Sequence, residues 1–126
     1  MFQMHDRYKV HDVVDKMDKM QLREFLWFRL NFIAEELEET QLAAFHNDPE
    51  EIVDGLIDII VVAAGTLDLF GVDSQRAWDE VLRANLSKRV GIKDTRDNPL
   101  GLPDLVKPEG WKGPDHADNH GRFAEL

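Results

Sequence analysis

The stretch AEELEETQLAAFHNDPEEIVDGLIDIIVVAAG, residues 34–65, decides the fold. Hydrophobic residues recur at helical spacing on both sides of "HNDP", residues 46–49. Asp48 reads as a helix N-cap, with Pro49 in the first helical position and Glu50 and Glu51 in the acid-favouring first turn. The stretch therefore predicts two helices joined by a short break, one from about Leu22 to Phe45 and one from there to about Phe70, ended by Gly71. The second is apolar on nearly every side, yet it carries Asp54 and Asp58 one turn apart.

A helical wheel at about 100° per residue sorts the acids. On the first helix Leu22, Phe25, Leu26, Phe28, Phe32, Ile33, Leu37 and Ala43 form a broad apolar arc. Glu36 and Arg29 lie near its centre and Glu39 lies inside it. Glu35 sits at the edge and Glu38 points away. On the second helix Glu51, Asp54 and Asp58 share one narrow stripe, and the remainder is apolar. That pattern predicts a helix buried all round, with its acidic stripe facing another element. A buried carboxylate without a partner is costly or takes up a proton. Arg29 alone cannot neutralise five acids, whereas a divalent cation with oxygen ligands can do far more. The competing reading is a pair of solvated acidic faces.

Outward from this hairpin, Val10, Val13, Val14 and Met17 predict a short helix ahead of the pair, making it the first of four along the chain. Asp73 or Ser74 caps a fourth helix that runs to about Val90 and stops at Gly91. Its apolar stripe is Trp78, Val81, Leu82 and Leu86, with Asn85 in the middle and Lys88 at the edge. Residues 91–126 hold four of the five prolines and no amphipathic period, which predicts an extended tail with turns. The expected fold is all-α: a four to five helix, bundle-like subunit over residues 1–90 with a Pro/Gly-rich tail over 91–126. Trp111, with Lys107 and Lys112, reads either as a lid over a ligand or as part of an assembly arm. Trp27, opposite the apolar arc of its helix, reads as a dimer contact or a base-stacking wall.

Composition excludes several classes. The 126 residues contain no cysteine, which rules out disulfides and thiolate chemistry. A formal charge of −10 repels phosphate backbones, so no nucleic acid polymer is expected as a partner. The longest apolar run, Gly55 to Leu67, is too short for a bilayer, and the opening MFQMHDRYKVHD has no signal-peptide pattern, so a cytoplasmic protein without a membrane is expected. His116 and His120 read as solvent residues, and His5, His11 and His46 have no evident company. There is no P-loop, and the Glu-x-x-His pairs of a di-iron bundle are missing.

The acidic motifs also resemble a family. E-E-x-x-E at Glu35, Glu36 and Glu39, E-x-x-D at Glu51 and Asp54 followed by Asp58, and N-x-x-K at Asn85 and Lys88 fall in one order on successive helices. Together they look like the all-α nucleoside triphosphate pyrophosphohydrolases: the MazG type, the phosphoribosyl-ATP pyrophosphatases and the dimeric dUTPases. The segment "KPEGWKGPD", residues 107–115, looks like the phosphoribosyl-ATP-pyrophosphatase-like branch.

The resemblance implies Mg²⁺-dependent cleavage of an NTP or dNTP between the α- and β-phosphates, giving a monophosphate and pyrophosphate, with Mn²⁺ as a substitute ion. It implies Glu36, Glu39, Glu51 and Asp54 as metal ligands and Glu35 or Asp58 as the group that orients or deprotonates the water. Asn85 and Lys88 would contact the nucleotide, aided by Arg29 and Trp111. It also implies a homodimer or a dimer of dimers. Such an ion would screen the phosphoryl oxygens and lower the pKa of a water it holds. Two alternatives stand beside this reading: a phosphoribosyl-ATP pyrophosphatase, and a non-catalytic helical oligomerisation or regulatory module.

Overall fold

The structure is a computed structural model and describes residues 10–126. His5 lies outside the described residues. The described elements are α1 (Val10–Val14), α2 (Lys19–Phe45), α3 (Pro49–Leu69), α4 (Ser74–Leu86), the strands β1 (Arg89–Gly91) and β2 (Asp104–Val106), and a 3₁₀ turn (Gly121–Glu125). The fold is all-α, as the periodicity predicts. The chain divides into two compact units: Met1–Ser74 with His120–Leu126, and Gln75–Asn119.

In the first unit α2 and α3 form a helical hairpin. α2 starts three residues earlier than the hydrophobic pattern suggests, because Asp18 and Gln21 close a capping box, each side chain accepting from the other's backbone N–H at 2.9 Å. Asn47, in the left-handed region at φ 53°, turns the chain, and the Asp48 carboxylate caps α3 by accepting from Glu51 N at 3.2 Å. α3 ends at Leu69, one residue short of Phe70, with Gly71 at φ 79° carrying the chain out of the helix.

The buried seams are narrower than the wheels suggest. On α3 the buried residues are Gly55, Val62, Gly65, Thr66 and Leu69. On α2 they are Leu22, Thr40 and Ala43. α3 is not enclosed in the single chain: Val53, Leu56, Ile57 and Ile60 are all more than half exposed. Phe28, on the expected arc of α2, is 63% exposed, and Phe32 and Leu37 are also open to solvent. One neighbouring helix covers only one stripe of a cylinder, so an apolar circumference is left partly uncovered.

The main core sits at the end of the hairpin away from the 46–48 turn. Val14, Leu22, Leu69 and Phe70 are buried there, with Met17, Phe25, Phe123 and Leu126 packed around them. The Phe70 ring stacks on Phe123 at 4.1 Å and on Phe25 at 6.0 Å. Arg122 ties the chain's last residues to α1: its guanidinium donates to the carbonyls of Val14 and Met17, both at 2.7 Å, and pairs with Glu125 at 2.8 Å. His11, expected to stand alone, instead pairs with Asp68 at 2.8 Å across α1 and α3.

In the second unit α4 stops at Leu86, four residues short of the expected Val90. Ser87 N–H bonds back to Arg83 and Ala84, and Lys88 N–H to Asn85, which closes a turn. Residues 89–91 then pair antiparallel with 104–106, in the register Arg89 to Val106 and Gly91 to Asp104. Lys88 therefore lies beyond the helix rather than on its edge. Residues 113–117 run along α4, held by Arg76 to Ala117 O at 2.9 Å, Arg83 to Gly113 O at 3.1 Å, and Asp115 N–H to Glu80 at 3.1 Å.

Gly121 has φ 52°, and a Cβ there would stand 2.1 Å from the Phe70 carbonyl oxygen. Gly121→Ala is therefore expected to lower stability by about 2 kcal/mol or more, read as a shift in the urea midpoint, and to release the 121–126 segment to proteolysis.

Candidate active site

The carboxylates are positioned by the way α2 and α3 touch. The closest approach is at Gly55, where an added Cβ would lie 2.0 Å from Thr40 Oγ1. Thr40 is buried, and its hydroxyl donates back to the Glu36 carbonyl at 2.7 Å, so it presents a compact surface to the glycine. A second contact fixes the register. Arg29 Nε donates to Thr66 Oγ1 at 3.0 Å and its NH2 group to Val62 O at 3.1 Å. Eleven residues separate Arg29 from Thr40, and eleven separate Gly55 from Thr66. Eleven residues make about three helical turns, so both contacts lie on the same face of each helix in one antiparallel register.

That register decides which acids meet. Glu36 lies one turn before Thr40, and Asp58 lies one turn after Gly55, so they stand level on the two helices. They share a cavity of about 280 Å³ with Arg29, Phe32, Val61 and Val62. The Glu36 carboxyl is raised above its ordinary range by burial first, and then by the negative charges of Glu39, Asp58 and Glu35. Glu35, Glu39, Asp54 and Glu51 are exposed in the single chain rather than turned into a core. Glu51 lies on the other side of Gly55, about 12 Å of helix rise from the level of Glu36. Among the described residues no group of three or more His, Asp or Glu side chains converges closely enough to hold a metal ion.

Arg29 is half-buried, and burial lowers its pKa from the usual arginine value. Its charge sits in the same cavity as Glu36 and Asp58, but two of its N–H groups are already committed to α3.

The remaining expected site residues lie in the second unit. Asn85 is half-buried in the last turn of α4. Trp111 is anchored there: its indole N–H donates to Ala84 O and to Ser87 Oγ, both at 2.9 Å. The ammonium groups of Lys88 and Lys107 stand 5.0 and 5.2 Å from the Trp111 ring centre. Sequence reasoning missed Thr40, Gly55 and Thr66. A threonine and a glycine at seam positions of facing helices are a faint signal of close approach, visible only once the register is known. Trp27 is exposed, as its wheel position predicts.

The all-α hairpin of α2 and α3 brings Glu36 and Asp58 from two helices to one cavity. Residues 9–85 match the family described as phosphoribosyl-ATP pyrophosphohydrolase, and the chain belongs to that family, within the MazG-like all-α NTP pyrophosphohydrolase superfamily. Membership makes it a pyrophosphohydrolase of nucleotide-like substrates. No curated protein and no solved structure matches the chain. Among the described residues no single helix is long and apolar enough to cross a membrane.

Two outcomes follow from the geometry. Gly55→Ala is expected to cost about 1–3 kcal/mol, and a double-mutant cycle with Thr40→Ala should recover part of that loss because the clash is with the threonine side chain. Glu36 has a raised carboxyl in the folded state, so the fold holds that proton more tightly than the unfolded chain does. Its contribution is present at acid pH and is lost as pH rises through the carboxylate range. Glu36→Gln should therefore raise the melting temperature of the metal-free protein at pH 7 and leave it unchanged near pH 3.

Proposed function

We propose that this chain hydrolyses the triphosphate of a nucleotide between its α- and β-phosphates, releasing pyrophosphate. The observation that carries the reading is the meeting of Glu36 and Asp58 from two helices in one cavity, inside a chain of the pyrophosphohydrolase family. The sequence reading ranks phosphoribosyl-ATP behind simple NTPs and dNTPs. The family match brings it at least level with them, because it fits the described activity directly. The substrates share a triphosphate, which is the part the acidic site addresses.

Mg²⁺, with Mn²⁺ as its substitute, is the proposed cofactor. The donors fit a hard cation in chemistry and charge: all are carboxylates, and Glu36 is raised by burial first and then by its acidic neighbours. They do not converge as a set of four. Mg²⁺ commonly takes one or two carboxylates and completes its shell with water and substrate phosphates. The spaced pairs Glu36 with Glu39 and Glu51 with Asp54 suit that habit, each pair three residues apart on one helix face. Bound there, the ion would neutralise phosphate charge and acidify a water.

The chain's own side chains do the rest. Asp58 or Glu35 orients a water and accepts its proton as the oxygen bonds to phosphorus, while the bridging oxygen departs with pyrophosphate. Arg29 holds a fixed positive charge beside Glu36 and Asp58. Asn85, Lys88 and Trp111 are proposed to contact the nucleotide.

Residues 1–90 are proposed as the catalytic part and 91–126 as its lid or arm, in a cytoplasmic enzyme. The exposed apolar side chains of α3, with Trp27 and Phe28 on α2, suit a homodimer or a dimer of dimers. The second reading, a non-catalytic helical module, is disfavoured by the intact acidic motifs.

Pyrophosphate release tests the proposal. Purified protein with Mg²⁺ is incubated with NTPs, dNTPs and phosphoribosyl-ATP, beside an Asp54→Asn variant. Pyrophosphate and the matching monophosphate should form with at least one substrate, and the variant should be slower by about 100-fold. Orthophosphate as the product, or no product across the panel, overturns the α–β assignment.

A further inference from the structure

Arg29 is out of keeping with its surroundings. In a chain of net charge −10 it lines one cavity of about 280 Å³ with two carboxylates, Glu36 and Asp58, yet it makes no ion pair among the described residues. Both partners of its guanidinium are neutral. Thr66 Oγ1 accepts from Nε at 3.0 Å, and Val62 O accepts from Nη2 at 3.1 Å. The Glu36 carboxyl is moved by burial first and then by Glu39, Asp58 and Glu35, all of them upward. All of these groups lie in the first unit, on α2 and α3.

The hydroxyl of Thr66 can do only one thing for Arg29. It is buried, and its own proton goes to Val62 O at 2.7 Å, so what it turns to the guanidinium is a lone pair. Val62 and Thr66 stand four residues apart on one face of α3 and offer two acceptors side by side. The Nε–Nη2 edge of a planar guanidinium is a matching pair of donors. Two bonds on one rigid edge fix both the place and the plane of the group. A single bond to Val62 O would leave the plane free to turn, and the stronger acceptors in the same cavity are the two carboxylates.

We infer that Thr66 is a positioning residue that holds Arg29 off Glu36 and Asp58 and so keeps those carboxylates open to a divalent cation. The inference rests on the proposed reading that the acids take Mg²⁺. Without the hydroxyl, Arg29 closes on the carboxylates as an internal cation and competes with the metal for the same oxygens. With it, the guanidinium stays in the cavity as a fixed charge beside them.

The test uses the whole protein stripped of metal, with Mn²⁺ as the probe and the electron paramagnetic resonance of the free ion as the readout. Thr66→Val keeps the shape and loses the hydroxyl, and it should weaken Mn²⁺ binding by roughly tenfold. Thr66→Ser should bind as wild type does. In an Arg29→Gln background Thr66→Val should change nothing, because no guanidinium is left to close. Arg29→Lys keeps the charge without the planar edge, so it should weaken Mn²⁺ binding with Thr66 untouched. A merely structural threonine gives the same loss with or without Arg29, and that outcome overturns the inference. So does unchanged affinity in both Thr66→Val and Arg29→Lys. A metal-free measurement separates this inference from the cofactor reading. The coupling between Arg29→Gln and Glu36→Gln, read from urea midpoints, should be larger in Thr66→Val than in wild type. That result in a protein that takes up no Mn²⁺ would uphold the hold of Thr66 on Arg29 and sink the cofactor. Equal coupling in the two backgrounds overturns the hold whatever the metal does.

Discussion

The contact between Thr40 and Gly55 is the constraint from which the acidic site follows. Only a residue without a Cβ lets α3 come this close to α2, and the approach sets where every later residue of each helix falls. Arg29 and Thr66, three turns along, repeat the same register and prevent the helices from sliding. From those two points the level of Glu36 with Asp58 is a matter of helical rise. A slip of one turn would place Glu36 against a different part of α3 and dissolve the cavity they share.

Stability and chemistry are kept in separate parts of the hairpin. The stacked phenylalanines and the returning C-terminal residues close one end, where Arg122 ties the last turn to the carbonyls after α1. The middle of the hairpin, where the acids are, has thinner cover and exposed apolar flanks on α3. Mutual repulsion among Glu36, Glu39, Asp58 and Glu35 is tolerated there because the aromatic end supplies packing that does not depend on them.

Arginine and lysine have different roles along the chain. Arginines are used as fasteners: Arg29 to α3, Arg76 and Arg83 to the 113–117 segment, and Arg122 to α1. Their planar groups satisfy several carbonyls or carboxylates at once. Lys88 and Lys107, by contrast, place their ammonium groups about one indole ring and make no ion pair among the described residues.

The sequence by itself determined the helices, their turn and the acidic motifs. Asp48-Pro49 marks a helix start through local hydrogen bonding, and the apolar period marks the helices through the geometry of 3.6 residues per turn, so both are local properties. The half-buried place of Glu36 was legible for the same reason, from its position at the centre of an apolar arc. Only the tertiary structure decided which acids are level with which, because interhelical register depends on the fit of Thr40 to Gly55 and not on either helix alone. It also decided that α3 is open on one side, since exposure depends on how many neighbours a helix has. The early end of α4 was not legible, because β1 pairs with residues fifteen or so positions downstream and pairing overrides the continuing helical pattern. Nor was the meeting of Lys88, Lys107 and Trp111 on the page of the sequence: it arises from hydrogen bonds to Ala84 and Ser87 across more than twenty residues, a distance over which no periodicity speaks.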